Sequence, residues 1–86
     1  PADARVLVTA QLRAVAERPE LLELLEAYLA EGGATGRVAA RLGIHRNSLP
    51  QRVRRLRRAL GVDLDDATVR SNLWLALRLR ERIGAD

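Results

Sequence analysis

Eight arginines and no acidic residue lie between residues 35 and 60, in the segment TGRVAARLGIHRNSLPQRVRRLRRAL. Residues 1–34 carry three arginines against six acidic residues, and residues 61–86 carry four arginines against five. The formal net charge of +4 therefore conceals one concentrated basic segment. Guanidinium groups gathered on a short stretch attract a polyanion, and the most common polyanionic partner of such a stretch is DNA.

The polar side chains of this segment fall on one side of a predicted helix. Its apolar seam repeats at helical spacing, through Leu49, Val53, Leu56 and Leu60. At about 100° per residue, the residues opposite the seam are Asn47, Gln51, Arg54, Arg55 and Arg58, with Ser48 at the margin. Asn and Gln side chains hydrogen-bond adenine edges, and Arg hydrogen-bonds guanine. Arginines further along the helix are better placed for phosphates, which fix position without specifying sequence.

A glycine separates this helix from a shorter one, as in a helix-turn-helix. We predict that Thr35 caps the shorter helix, which ends near Leu42. Ala39 and Ala40 supply the small residue needed where two helices cross. Gly43 permits the left-handed backbone of a tight turn. The longer helix is predicted to begin between His45 and Asn47 and to end before Gly61.

Three more helices complete an all-α prediction, a compact bundle of about five helices. They run from about Ala4 to Glu17, from Pro19 to the glycine pair at 32–33, and from about Ala67 to Ile83, the last capped by Asp65 or Asp66. The stretch NLWLALRL in the last helix is apolar around much of its circumference, so it is either deeply buried or covered by a partner. We assign residues 1–18 to an N-terminal helix or linker and 19–86 to the helix-turn-helix domain, with 35–60 as the motif.

Composition argues against catalysis, cofactors and metals. The chain has no Cys and one His, so a thiolate metal site is excluded. Asp63, Asp65 and Asp66 are better explained by helix capping than by a metal cluster. We find no nucleophile beside a base, no plausible pair of catalytic carboxylates and no phosphate-binding glycine loop. We therefore expect no enzyme activity and no small-molecule ligand in this domain.

The expected location is the cytoplasm, and the expected length of the parent protein exceeds this chain. Its apolar stretches are far shorter than the roughly 20 residues of a membrane span, and no signal peptide is recognisable. The chain begins at Pro1 rather than Met, so we expect it to be part of a longer protein.

GIHRNSL followed by RVRRL resembles the C-terminal DNA-binding domain of the purine catabolism regulator (PucR) and sugar diacid regulator family, itself similar to the Fis type of helix-turn-helix. LLELLEAYLAEGG and GVDLDDATVRSNLWLALRLR resemble that family's flanking helices, so the resemblance extends from about Pro19 to Arg82. HRNS is its most specific part. The resemblance implies a bacterial domain that binds operator DNA at the end of a longer, ligand-responsive transcription regulator.

The resemblance also implies roles for individual residues. His45 would cap or lead the recognition helix, and the three residues after it would lie at its N-terminus against DNA, where free N–H groups favour a phosphate. The start of the bracing helix would touch flanking phosphates. The candidate DNA-binding residues are Thr35, Arg37, His45, Arg46, Asn47, Ser48, Gln51, Arg52, Arg54, Arg55 and Arg58.

Pro50 departs from the family pattern, which usually has a basic residue there, and Gln51 stands where the pattern often has an aromatic one. In a helix that began at Arg46, Pro50 would remove a backbone hydrogen bond and press against the Arg46 carbonyl. It would also push Leu49 away from helical geometry. Either the first turn is loosened or the regular helix begins near Asn47 to Leu49. We expect target sequence, affinity or both to differ from those of typical relatives.

The sequence thus predicts sequence-specific binding of double-stranded DNA by the C-terminal domain of a transcription regulator. We expect a homodimer on DNA, with the fifth or the first helix as its interface. A charged run is commonly only a solvated helix face, but six arginines without an acid over residues 46–58 repel one another unless an anion relieves them. The alternative is a helical protein–protein interaction module whose basic face docks an acidic partner, which Pro50 favours by damaging the helix. RNA is a third option, and the lack of aromatics for stacking opposes single-stranded targets.

Overall fold

The computed structural model describes residues 4–84, and the side chains of residues 10–81. Five helices account for most of this range: α1 (Ala4–Ala16), α2 (Pro19–Ala30), α3 (Thr35–Leu42), α4 (Leu49–Leu60) and α5 (Ala67–Gly84). No strand occurs between residues 4 and 84. The predicted all-α bundle of about five helices is confirmed. None of the helices in this range has the length and apolar character needed to cross a bilayer.

A single aliphatic core joins all five helices. Its members share burial and helical spacing: Leu12, Val15, Leu21, Leu24, Leu25, Ala27, Tyr28, Val38, Ala39, Leu49, Leu56, Leu60, Leu64, Leu73 and Leu77. Leu64 comes from the connection between α4 and α5 and is fully buried. Val8, predicted to extend the apolar stripe of α1, lies outside the described side chains.

The second helix supports the helix-turn-helix from beneath. α2 packs against each of the other four helices, including α3 and α4, and α1 packs against both α4 and α5. The two helices of the motif therefore rest on the same support, which fixes where each presents its outer face. Pro19 occupies the first turn of α2, as predicted, where its missing N–H removes no helical hydrogen bond.

The turn between α3 and α4 depends on glycine. Gly43 has φ 68° and ψ 30°, the left-handed conformation that the sequence predicts there. The Ile44 N–H donates to the Ala39 carbonyl at 3.0 Å and the Gly43 N–H to the Ala40 carbonyl at 3.2 Å. These are the bonds of a Schellman-type C-cap, which satisfies carbonyls that the helix end leaves free. Any residue with a Cβ would be strained at Gly43.

The predicted start of α4 is wrong. The regular helix begins at Leu49 rather than between His45 and Asn47, so Pro50 lies in its first turn. Residues in that turn have no intrahelical acceptor for their N–H groups, so proline costs no hydrogen bond there. The other possibility that Pro50 raised, a helix starting near Leu49, is confirmed. Damage to the recognition helix therefore no longer favours docking to an acidic partner.

The predicted N-terminal cap is wrong for α3 and confirmed for α5. Thr35 does not cap α3; it is the first helical residue, and Ala34 holds the cap position without a side-chain bond. The Ala34 carbonyl already accepts the Val38 N–H at 2.9 Å, which moves the helix start back by one residue. Asp66 does cap α5, since its Oδ1 accepts the N–H groups of Thr68 at 2.8 Å and Val69 at 3.3 Å.

Candidate nucleic-acid interface

The two faces of α4 differ completely in composition. Leu49, Leu56 and Leu60 on the inner face are at most 1% exposed. The outer face carries exposed polar side chains, Gln51, Arg52, Arg54, Arg55 and Arg58. The inner leucines lock the helix onto α1 and α2, so the outer side chains project from a rigid support. The outward orientation predicted for Gln51, Arg54, Arg55 and Arg58 agrees with this exposure.

A short turn leads into α4 and presents the HRNS residues. The Ser48 N–H donates to the His45 carbonyl at 3.0 Å, and the Asn47 N–H donates to His45 Nδ1 at 3.1 Å. His45 therefore caps this turn and not the helix itself, which differs from the role that the resemblance implied. Arg46, Asn47 and Ser48 are exposed. Their side chains extend the polar outer face of α4 beyond its first residue.

The first residue of α3 and the first half of α4 meet at a groove of about 260 Å³. Thr35 lies on the α3 side, and Pro50 and Arg54 lie on the α4 side. Tyr28 and Val53 form part of the apolar wall. The structure thus brings together Thr35 and Arg54, which the sequence selects separately. Pro50 lines the same groove.

Three arginines of the basic segment have carboxylate partners. Glu31 binds two of them, Arg37 through Nε at 3.3 Å and Arg41 through Nη1 at 3.1 Å. Arg57 forms a bidentate pair with Asp65, at 3.1 and 3.3 Å, and its Nη2 also donates to the Tyr28 hydroxyl at 3.5 Å. We call Arg37, Arg41 and Arg57 the paired arginines.

The Arg57–Asp65 pair changes the proton affinity of both groups. The hydrogen bonds and positive charge of Arg57 hold the pKa of the Asp65 carboxyl below its ordinary value. The carboxylate in turn raises the pKa of Arg57. Arg57 therefore fastens α4 to the loop that leads into α5. The sequence places Arg57 only at the border of the apolar seam, and its partner, eight residues away across the turn, leaves no periodic signal.

The remaining five arginines of the segment are Arg46, Arg52, Arg54, Arg55 and Arg58, which we call the free arginines. They are exposed, and within residues 10–81 no carboxylate lies within 4.0 Å of their charged nitrogens. Four of the five lie on α4, and Arg46 lies in the turn before it. Within the described side chains no carboxylate relieves their mutual repulsion, so the group is expected to attract an external anion.

The described part of the chain offers no competing chemical centre. No charged or polar residue in residues 10–81 is buried. No group of three His, Asp or Glu side chains in this range could hold a metal ion. The concentration of cationic and hydrogen-bonding groups on α4 and its preceding turn is thus the feature that needs a functional explanation.

Two helices on one support, joined by a left-handed glycine turn, with cations on the outer face of the second, define a helix-turn-helix domain. A family model of the PucR C-terminal helix-turn-helix domain matches residues 21–79, which spans nearly all of α2 through most of α5. The chain belongs to this family, and the resemblance seen in the sequence is confirmed. Membership supports a DNA-binding role in transcription regulation.

Two curated relatives extend this comparison. Over 53 residues the chain is 49% identical to an uncharacterized protein in the pkwA 5′ region of Thermomonospora curvata, covering 62% of this chain and 29% of that protein. Over 63 residues it is 36% identical to the proline-responsive transcriptional activator PutR of Bacillus subtilis (strain 168), covering 73% of this chain and 15% of PutR. The matched regions are thus less than a third of each relative's length. No solved structure gives a significant match.

Proposed function

We propose that this domain binds double-stranded DNA in a sequence-specific manner, as the C-terminal domain of a longer transcription regulator. The observation that carries the proposal is the group of five free arginines beside the exposed amides of Asn47 and Gln51. These arginines, which have no carboxylate partner among residues 10–81, supply attraction to the phosphates. The amides supply donors and acceptors for base edges. The similarity to PutR, a transcriptional activator, supports the regulatory role.

In this proposal the arginines of α4 contact phosphates, and polar residues at and before the start of α4 contact bases. Arg54, Arg55 and Arg58 displace counterions along the phosphate backbone, together with Arg52. Gln51, with Asn47 and Ser48 from the preceding turn, faces the base edges, because the N-terminal part of a recognition helix lies deepest in the major groove. Arg46 binds a phosphate beside the free N–H groups at the helix start.

The start of α3 contributes the flanking contacts. The Thr35 hydroxyl binds a phosphate at the mouth of the groove that it shares with Arg54. The Arg37 side chain is 72% exposed, so a phosphate reaches it in spite of Glu31. His45 acts by holding the turn that presents Asn47.

Selection from a randomised duplex library tests this proposal directly. A recurrent sequence motif is expected, with the selected duplex bound far more tightly than a scrambled duplex at the same salt concentration. Binding without enrichment of any motif would contradict sequence specificity. Absence of duplex binding even at low salt would contradict DNA binding itself and favour docking to an acidic protein.

We propose in addition that the domain acts as a homodimer, with α5 as the interface. Leu75 and Leu79 are 57% and 60% exposed, and they lie one helical turn apart on the same face. Dimeric helix-turn-helix proteins place two recognition helices about one DNA turn apart. α1 is the other candidate interface.

Light scattering with and without DNA measures the oligomeric state. Leu75→Glu with Leu79→Glu is expected to give a monomer that still binds a half-site. A wild-type monomer at high concentration in both conditions would contradict the dimer. If the double variant stays dimeric, the interface is not α5.

A further inference from the structure

Pro50 is the only apolar side chain among the exposed residues between 45 and 58. Every other exposed side chain in this interval carries a hydrogen-bonding or charged group: His45, Arg46, Asn47, Ser48, Gln51, Arg52, Arg54, Arg55 and Arg58. Proline has neither a backbone N–H nor a side-chain polar atom. Pro50 lines the groove together with Tyr28 and Val53, and a complex that covers the ring removes the most apolar surface from water when the ring meets an apolar partner.

The position of Pro50 points toward base edges. It lies in the first turn of α4, between exposed Ser48 and Gln51 in the sequence. Its ring lines the groove that Thr35 and Arg54 also line, on the surface where α3 and α4 begin. The N-terminal residues of a recognition helix are the ones that contact bases. The buried side chain of Leu49 fixes the start of the helix, so the ring is held in one orientation.

The major groove presents one apolar feature. The other groups by which proteins distinguish base pairs there are hydrogen-bond donors or acceptors, while thymine adds a C5-methyl group. A proline ring pressed against a donor or acceptor would strip it of water and return no hydrogen bond. Pressed against a methyl group, the ring removes apolar surface from water on both partners.

We propose that Pro50 specifies thymine at one position of the target sequence, through contact of its ring with the thymine C5-methyl group. This inference rests on the proposed binding of double-stranded DNA. It assigns a specificity-determining role to a residue that makes no hydrogen bond. Burial of one methyl group corresponds to about a fourfold change in Kd.

The experiment uses the selected duplex and replaces each thymine in turn by deoxyuracil, which removes only the methyl group. Wild-type protein is expected to lose about fourfold in affinity at one position near the contacts of α4. The variant Pro50→Ser is expected to bind the thymine and deoxyuracil duplexes equally at that position. Penalties at other thymines should persist in Pro50→Ser, because other residues make those contacts. Thermal melting confirms that both proteins are folded.

A second variant gives an independent result. Pro50→Arg is expected to change the preferred base at the same position from thymine to guanine, since arginine hydrogen-bonds guanine O6 and N7. The inference is overturned if the selected motif contains no thymine, if no deoxyuracil position weakens wild-type binding, or if the penalty survives in Pro50→Ser. In those cases specific DNA binding still stands. If no duplex binds, the proposed function and this inference fail together.

Discussion

The arginines of residues 35–60 form two groups that differ in their surroundings and not in their chemistry. The paired arginines, Arg37, Arg41 and Arg57, lie near carboxylates supplied by Glu31 and Asp65. The free arginines have no such partner within the described side chains, and four of the five lie on α4. Both groups come from one uninterrupted basic segment, so the sequence alone does not separate them.

The difference shows where the domain uses charge for its own structure. Glu31, at the end of α2, draws two arginines of α3 toward the supporting helix. Asp65 holds Arg57 at the back of α4. No carboxylate among residues 10–81 compensates the outer face of α4, so an anion bound there need not displace one of these groups. We therefore expect the two groups to respond differently to substitution.

Loss of two free arginines should cause the largest change in duplex binding. Arg54→Ala combined with Arg55→Ala is expected to weaken duplex binding by roughly 100-fold, because each charge-assisted hydrogen bond contributes about a factor of ten or more. Thermal stability should stay nearly unchanged, since both side chains are exposed. Fluorescence anisotropy at fixed salt measures the Kd.

The control for this pair is Arg13→Ala combined with Arg18→Ala, which removes the same charge outside the helix-turn-helix. Its effect should be only a few-fold, since screening weakens charges beyond about 10 Å. Equal losses for the two double variants would mean that net charge, and not the position of the free arginines, determines binding.

Removing the carboxylate partner of two paired arginines should strengthen duplex binding, by a smaller factor than the loss predicted above. Glu31→Gln releases Arg37 and Arg41 from their shared carboxylate. Duplex binding is expected to strengthen by roughly two- to fivefold, the range of an exposed ion pair. Glu23→Gln makes the same charge change at an exposed position of α2 and should matter less. Unchanged or weaker binding by Glu31→Gln would show that these arginines do not reach DNA.

Breaking the Arg57–Asp65 pair should have the smallest effect of the three changes. It should alter the stability of the fold and not DNA binding. Because the pKa of Asp65 is lowered in the folded state, the pair stabilises the fold above the ordinary aspartate pKa. That contribution disappears as the pH falls through the depressed pKa. Asp65→Asn should therefore lower the melting temperature slightly near neutral pH, and the difference from wild type should shrink in acid.

Melting curves of Asp65→Asn and wild type across this pH range check the prediction. A difference between Asp65→Asn and wild type that grows as the pH falls would contradict the assigned direction.

Patterns within one helix are what the sequence predicts well here. The Leu49 to Leu60 seam, the left-handed turn at Gly43 and the cap by Asp66 all depend on neighbours a few residues away, and each is present in the structure. HRNS and its flanks are also enough to identify the family. These features are local, so residue type and spacing determine them.

Contacts between elements are what the sequence does not reveal. Glu31 lies six and ten residues from its two arginines, and Asp65 lies eight residues from Arg57, so none of these pairs has the spacing of one helix face. The residue type of Thr35 predicts a cap for α3, but Ala34 occupies the cap position. The sequence places the start of α4 between His45 and Asn47 or, because of Pro50, as late as Leu49, and only the structure decides for Leu49.

The salt dependence of duplex binding by three proteins tests the central claim most directly. The proteins are wild type, Arg55→Ala and Arg41→Ala. Each variant lacks one positive charge, from a free arginine in Arg55→Ala and from a paired arginine in Arg41→Ala. The account predicts a steep linear fall of log K with log salt for wild type, a slope shallower by about 0.9 for Arg55→Ala, and a much smaller change for Arg41→Ala. Equal slopes for the two variants, or a wild-type slope near zero, would contradict it.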